Sequence, residues 1–168
     1  KMPGMDGWAT LRAFKADLYR YAYGLSRDRF VAEDLVQETF ARAWKAWDSL
    51  DSEPSRKFWL MSILRHENAR RFAKKTPELF AADVDEALEL PALALSGSSF
   101  EAENLVHMLP PALREPLLLQ VLGGFSCAEI ASLLHTTEGA VMTRLTRARQ
   151  ALRNALRPSF QPQRKASQ

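Results

Sequence analysis

The chain has 168 residues, 46% of them hydrophobic, with a formal net charge of +3 and one cysteine, Cys127. That length allows one ordinary domain or two small ones, and the apolar content excludes a globally disordered chain. A single cysteine excludes an intrachain disulfide and a thiolate zinc cluster, and no apolar run approaches the roughly 20 residues that a membrane-spanning helix needs.

The charge is unevenly placed. Residues 1–76 hold 15 Lys/Arg against 10 Asp/Glu, residues 77–104 hold 7 Asp/Glu and no Lys/Arg, and residues 105–168 hold 8 Lys/Arg against 3 Asp/Glu. Two basic blocks flank an acidic one, a distribution that draws phosphate to the ends and keeps it from the middle. With one cysteine, a reducing, cytoplasmic setting is expected, and no secretory leader pattern is visible at the opening Lys1-Met2-Pro3-Gly4.

A first helix is predicted over 7–25, where Trp8, Leu11, Phe14, Leu18, Ala22 and Leu25 recur at helical spacing. A second is predicted over 31–47. Val36, Phe40, Ala43 and Trp47 share one arc, and Asp34, Gln37, Glu38, Ala41 and Lys45 share the opposite one. Residues 48–56 read as a loop, although Pro54 could also open the next helix. A third helix, about 56–75, has a broad apolar arc studded with cations and stops at Thr76-Pro77. Residues 77–103 read as an acidic flexible linker, with a short helix near 84–90. Its 27 residues would span about 90 Å extended and roughly 30 Å as a random coil.

The helical pattern resumes near 101. Leu105, Leu109, Leu113, Leu117, Leu118 and Val121 are expected to pack together, with Pro110-Pro111 opening a helix and Gly123-Gly124 closing it. Ser126 and Glu129 then form an S-x-x-E capping box, and Ile130, Ala131 and Leu134 can face inward. His135 occupies the tight turn, where a positive φ is often required, and Thr137 is placed to cap the next helix. Along that helix Val141, Leu145, Ala148, Leu152, Ala155 and Leu156 form a core stripe. The other side shows Gly139, Ala140, Thr143, Arg147, Gln150 and Asn154, with Arg144 at its flank. Small residues near the start of this helix allow close approach to base edges, and Thr143 and the arginines can donate to phosphate or guanine. This is the pattern of a helix-turn-helix. Cys127 is expected to be a small buried residue, and the tail 158–168 is expected to be polar and frayed.

Taken together, these segments resemble the bacterial sigma factors of the extracytoplasmic-function group. The run Asp34-Leu35-Val36-Gln37-Glu38-Thr39-Phe40-Ala41-Arg42-Ala43-Trp44 is similar to that family's core-polymerase-binding motif. The stretch from Leu109-Pro110-Pro111 to Ala155-Leu156, with Glu129-Ile130-Ala131 and Arg144-Leu145-Thr146-Arg147-Ala148-Arg149, is similar to its helix-turn-helix domain. The resemblance covers about 8–76 and 101–157.

It implies an all-α chain of two small helical domains, a region 2-like domain over 1–76 and a region 4-like domain over 104–157. Its implied partners are core RNA polymerase (the clamp helices of the largest subunit, and the flap), promoter DNA both double-stranded and melted, and an anti-sigma factor. No membrane insertion and no cofactor or metal are implied. Asp34, Leu35, Gln37, Glu38 and Arg42 would face polymerase. Arg56, Lys57, Trp59, Arg65, His66, Asn68, Arg70 and Arg71 would work at the −10 element, where an unstacked base needs an aromatic platform or pocket and cations to hold the displaced strand. The loop 48–56 would help shape that pocket, although for Trp59 the broad apolar arc favours a place in the core. Thr137, Gly139, Ala140, Thr143, Arg144 and Arg147 would read the −35 element. The sequence departs from the family pattern at His66, where Asn is common, at Arg70, where an acid is common, and at Met142, where a basic residue is common.

The acidic face supports a protein partner independently of the resemblance, because carboxylates repel DNA and suit protein docking. A helix-turn-helix regulator that binds DNA without polymerase is the alternative, and the acidic-faced helix at 34–45 separates the two. An enzyme is not expected: His66-Glu67 lacks the second histidine of a metalloprotease motif, and no glycine-rich phosphate loop occurs.

Overall fold

The computed structural model describes residues 4–49, 53–75 and 99–156. Among these residues all the regular structure is helical: α1 (Met5–Ser26), α2 (Arg29–Lys45), a 3-10 turn (Trp47–Ser49), α3 (Glu53–Lys75), α4 (Ser99–Met108), α5 (Pro111–Gly123), α6 (Cys127–Leu134) and α7 (Glu138–Leu156).

The link between α1 and α2 is two residues long. Arg27 adopts the left-handed conformation (φ 55°) and donates its N–H to the Tyr23 carbonyl at 2.7 Å, which stops α1. Asp28 then caps α2, its Oδ1 accepting from the N–H groups of Phe30 (2.8 Å) and Val31 (3.2 Å). α2 therefore starts two residues earlier than its apolar pattern indicates. α3 likewise starts at Glu53, so the expected loop over 48–56 is shorter than predicted, and its residues 50–52 lie outside the described residues.

α1, α2 and α3 pack on one another as a three-helix group, and α5, α6 and α7 form a second. In the first, Leu11, Leu18, Leu35, Leu60, Met61 and Leu64 are buried, with Trp8 of α1 against Trp44 of α2 at 4.3 Å. In the second, Leu109, Leu113, Leu119, Ile130, Val141, Leu145 and Ala148 are buried. Gly124 takes φ 66° at the end of α5, a conformation for which glycine has no Cβ penalty.

The two groups are also in contact. α1 lies against α5, and one hydrophobic cluster runs through both groups, from Leu11 and Tyr21 to Leu118 and Phe125. The expected linker over 77–103 and the short helix near 84–90 lie largely outside the described residues. The final part of that range belongs to α4, which starts at Ser99.

Two expected core positions lie at the surface: Val121 is 71% exposed and Leu156 is 42% exposed. Leu133, rather than its neighbour Leu134, is the buried leucine at the end of α6. Cys127 is half-buried at the start of α6.

Candidate functional site

The outer face of α2 carries Asp34 and Gln37 exposed and Glu38 half-exposed. Leu35 does not belong to it. Its side chain is fully buried, because α2 is covered by α1 on one side and α3 on the other, and the buried arc is wider than the helical wheel suggests. Leu35 therefore anchors the helix and offers no surface of its own.

Arg42 also has a structural task. Its Nε lies 3.1 Å from Glu38 Oε1 and 2.7 Å from Glu67 Oε1, and Glu67 is only 6% exposed. Sequence reasoning missed Glu67, since nothing local marks it as buried; only the approach of α2 gives it a counter-charge. Truncating Arg42 would leave that carboxylate buried with the more distant Arg70 guanidinium at 3.6 Å. Arg42→Ala is expected to cost about 1–3 kcal/mol of fold stability, read by thermal unfolding as a drop of about 2–4 °C per kcal/mol. Glu38→Ala removes an exposed pair and should stay within about 0.5 kcal/mol.

The candidate −10 residues of α3 split into two sets. Lys57 donates to Asp17 Oδ2 of α1 at 2.8 Å, and Arg65 Nε donates to Glu115 Oε1 of α5 at 2.7 Å, so both are engaged with other helices. Asn68 is half-buried. Arg56 stacks its guanidinium over the Trp47 ring at 4.6 Å. His66 and Arg70 are exposed, and Arg71 Nη1 sits 3.8 Å from Asp34 Oδ2. Trp59 is half-buried, so the core reading holds only in part. It lines a cleft of about 620 Å³ between α2 and α3, together with Glu38, Arg42, Lys45, Ser62, Ile63, His66 and Glu67. The cleft thus joins the acidic face of α2 to the cationic face of α3.

The second surface is built by α6 and α7. The capping box at Ser126 and Glu129 is complete, with Glu129 N–H donating to Ser126 Oγ and Ser126 N–H to Glu129 Oε1, each at 3.1 Å. His135 takes φ 54° at the turn and donates its N–H to the Ser132 carbonyl. Thr137 Oγ1 accepts from the Ala140 N–H at 3.1 Å, leaving its hydroxyl hydrogen available to donate outward. Val141, Leu145, Ala148 and Ala155 bury one side of α7. Gly139, Thr143 and Arg147 are exposed on the other, while Ala140 and Arg144 are half-buried at its edge. Arg149 donates to the side-chain oxygen of Gln120 on α5.

Between the two surfaces lies a titratable contact. His107 of α4 meets Tyr23 of α1 edge-on at 4.8 Å, and Arg114 Nη1 donates to the His107 carbonyl at 3.0 Å. Burial, and then the charges of Arg114 and Arg27, hold the His107 pKa below the ordinary histidine value of 6.5, against a weaker opposing pull from Glu103. A lowered folded pKa means that the unfolded chain takes up the proton first. Stability from this site is therefore full above about pH 6.5 and falls as the pH drops from there through the lowered folded value. Urea unfolding between pH 7.5 and 5 should show this loss, and His107→Gln should flatten that part of the profile.

Comparison with known proteins bears on both surfaces. Residues 10–78 match the family described as Sigma-70 region 2, and residues 99–152 match Sigma-70, region 4. The chain is 30% identical over 159 residues to the ECF RNA polymerase sigma factor SigW of Bacillus subtilis, covering 86% of this chain and 85% of that one. It is 32% identical over 138 residues to the ECF RNA polymerase sigma factor EcfG of Rhodopseudomonas palustris, covering 80% and 76%. In structure it is similar to the sigma factor RpoE of Bartonella quintana, solved in complex with the anti-sigma factor NepR, with a TM-score of 0.63 at 29% identity over 89% of this chain and 92% of that one. No helix among the described residues is long and apolar enough to cross a membrane. With an acidic-faced helix in the half that matches region 2 and a basic helix-turn-helix in the half that matches region 4, the chain belongs to the ECF RNA polymerase sigma factors.

Proposed function

We propose that the chain binds core RNA polymerase through the outer face of α2 and directs initiation at promoters that it reads at two elements, the −10 with α3 and the −35 with α7. The observation that carries this reading is the pairing, in one chain, of an exposed carboxylate face on α2 with an exposed Thr/Arg face on α7. Asp34, Gln37 and Glu38 supply the polymerase surface, and Arg42 ties that surface to α3 through Glu67. At the −10 element Trp59, His66, Arg70 and Arg71 are the accessible groups, with Arg56 beside them on Trp47. The cleft at Trp59 and His66 offers an aromatic wall and polar groups to an unstacked base. Lys57 and Arg65 join only if they exchange their carboxylate partners for DNA.

At the −35 element Thr137, Gly139, Ala140, Thr143, Arg144 and Arg147 line the approach to the major groove. The chain carries no chemistry of its own, needs no cofactor, acts in the cytoplasm where polymerase and template are, and is held inactive by an anti-sigma protein. A regulator that works without polymerase is not favoured, because it would have no use for the α2 face. Mixing the pure chain with core polymerase in the absence of DNA tests the reading. Co-elution in a one-to-one complex supports it, and separate elution at micromolar concentrations of both contradicts it.

A further inference from the structure

The contact between the two helical groups is built from specific groups. Tyr21 of α1 is fully buried, and its hydroxyl donates to Glu115 Oε1 of α5 at 2.8 Å. The same oxygen accepts from Arg65 Nε of α3 at 2.7 Å. One carboxylate on the region 4 half thus ties down two helices of the region 2 half. Burial, and then the charge of Glu115, raise the Tyr21 pKa well above its ordinary value, so the phenol remains a donor. Around this centre Phe58 of α3 meets Phe125 edge-on at 5.4 Å. Gly24 lets Leu118 come so close that a Cβ there would lie 2.2 Å from Leu118 Cδ1.

This packing conflicts with reading two promoter elements at once. Elements centred near −10 and −35 are roughly 85 Å apart along a duplex, at about 3.4 Å per base pair. A compact chain of this length has a radius of gyration of about 15 Å and a diameter of roughly 40 Å. The closed arrangement also occupies Arg65, one of the candidate −10 cations. The chain between α3 and α4 is long enough to resolve the conflict, since residues 76–98 reach about 80 Å extended.

We propose that Glu115 is the latch of a self-closed resting state. Held by Tyr21 and Arg65, it pins α5 onto α1 and α3, keeps Arg65 from DNA, and must let go before the two promoter-reading surfaces can separate. The proposal rests on the functional reading above. It differs from inhibition by a second protein in that the closing element is part of the chain itself.

The test uses the full chain, with Glu115→Ala and, as an independent way to open the same contact, Leu118→Asp. Circular dichroism confirms that each variant keeps its helix content. Glu115→Gln, which preserves side-chain volume, replaces any variant that does not. Small-angle scattering of the wild-type chain alone should give a compact particle, and both variants should expand by several ångströms. Binding of a fluorescent random-sequence single-stranded DNA 20-mer should tighten at least fivefold in both variants. Leu118→Asp is the sharper case, because its added negative charge alone would weaken DNA binding. A wild-type chain that is already extended, or variants that stay compact and bind the 20-mer as wild type does while still binding core polymerase, would overturn the latch and leave the functional reading standing. Failure of every form to bind core polymerase would overturn both.

Discussion

Reversing two charges on α2, Asp34→Arg with Glu38→Arg, is expected to raise the dissociation constant for core RNA polymerase at least about 30-fold, which corresponds to about 2 kcal/mol. The Asp34 and Glu38 side chains are 64% and 44% exposed, and the ion pairs they make, with Arg71 at 3.8 Å and Arg42 at 3.1 Å, lie at the surface. Such pairs contribute at most about 1 kcal/mol to folding, so the fold should survive their loss. A partner surface complementary to carboxylates, by contrast, would meet two guanidinium groups, and like-charge contact across an interface costs several kcal/mol. Arg42 keeps Glu67 as its partner in the variant, so the α2–α3 packing has no reason to shift. Retention on immobilised core polymerase is the measurement, with thermal unfolding and duplex DNA binding as controls that should not fall. Equal retention of wild type and double variant would remove α2 from the polymerase interface.

Arg147→Ala is expected to lower affinity for the −35 element by about 1–3 kcal/mol if the guanidinium reaches guanine O6 and N7 as a bidentate donor. Arg147 is exposed on the face of α7 opposite the Val141, Leu145 and Ala148 stripe, one turn from Thr143. Arg144→Ala should cost less, since Arg144 is half-buried at the edge of that face. Fluorescence anisotropy with duplexes that differ at single base pairs separates the two kinds of contact. A base contact makes the loss depend on sequence and relaxes specificity at one position. A phosphate contact lowers affinity evenly and reduces the salt dependence by about one ion. An even loss would place Arg147 on the backbone.

Much of this architecture could be read from the sequence because its signals are local. The capping box at Ser126 and Glu129, the Thr137 cap, the Pro110-Pro111 start and the Gly123-Gly124 stop are each settled within four residues, and each is where the pattern placed it. His135 was legible as the positive-φ position of the turn for the same reason. What could not be read were the contacts that depend on a distant helix. The wheel of α2 showed a polar side but not that α1 and α3 cover enough of the rest to bury Leu35. Val121 and Leu156 continue apolar stripes at helix ends, beyond the reach of a packing partner. Lys57 and Arg65 read as two more cations of α3, because Asp17 is 40 residues away and Glu115 is 50. Nothing local marks Glu115, an acid close to the Leu117-Leu118-Leu119 run, and its role is visible only once α1 is known to lie against α5.

The central claim is that one face of this chain joins polymerase while another holds the promoter. It is tested most directly by transcription from a random promoter library with sigma-free core polymerase and the pure chain, sequencing the transcripts produced. Initiated transcripts are expected only when the chain is present. The templates used should share two short motifs separated by a constant spacer, and the yield should collapse with the Asp34→Arg, Glu38→Arg variant. Transcripts at the level of core polymerase alone, or templates enriched for no shared motif, would contradict it.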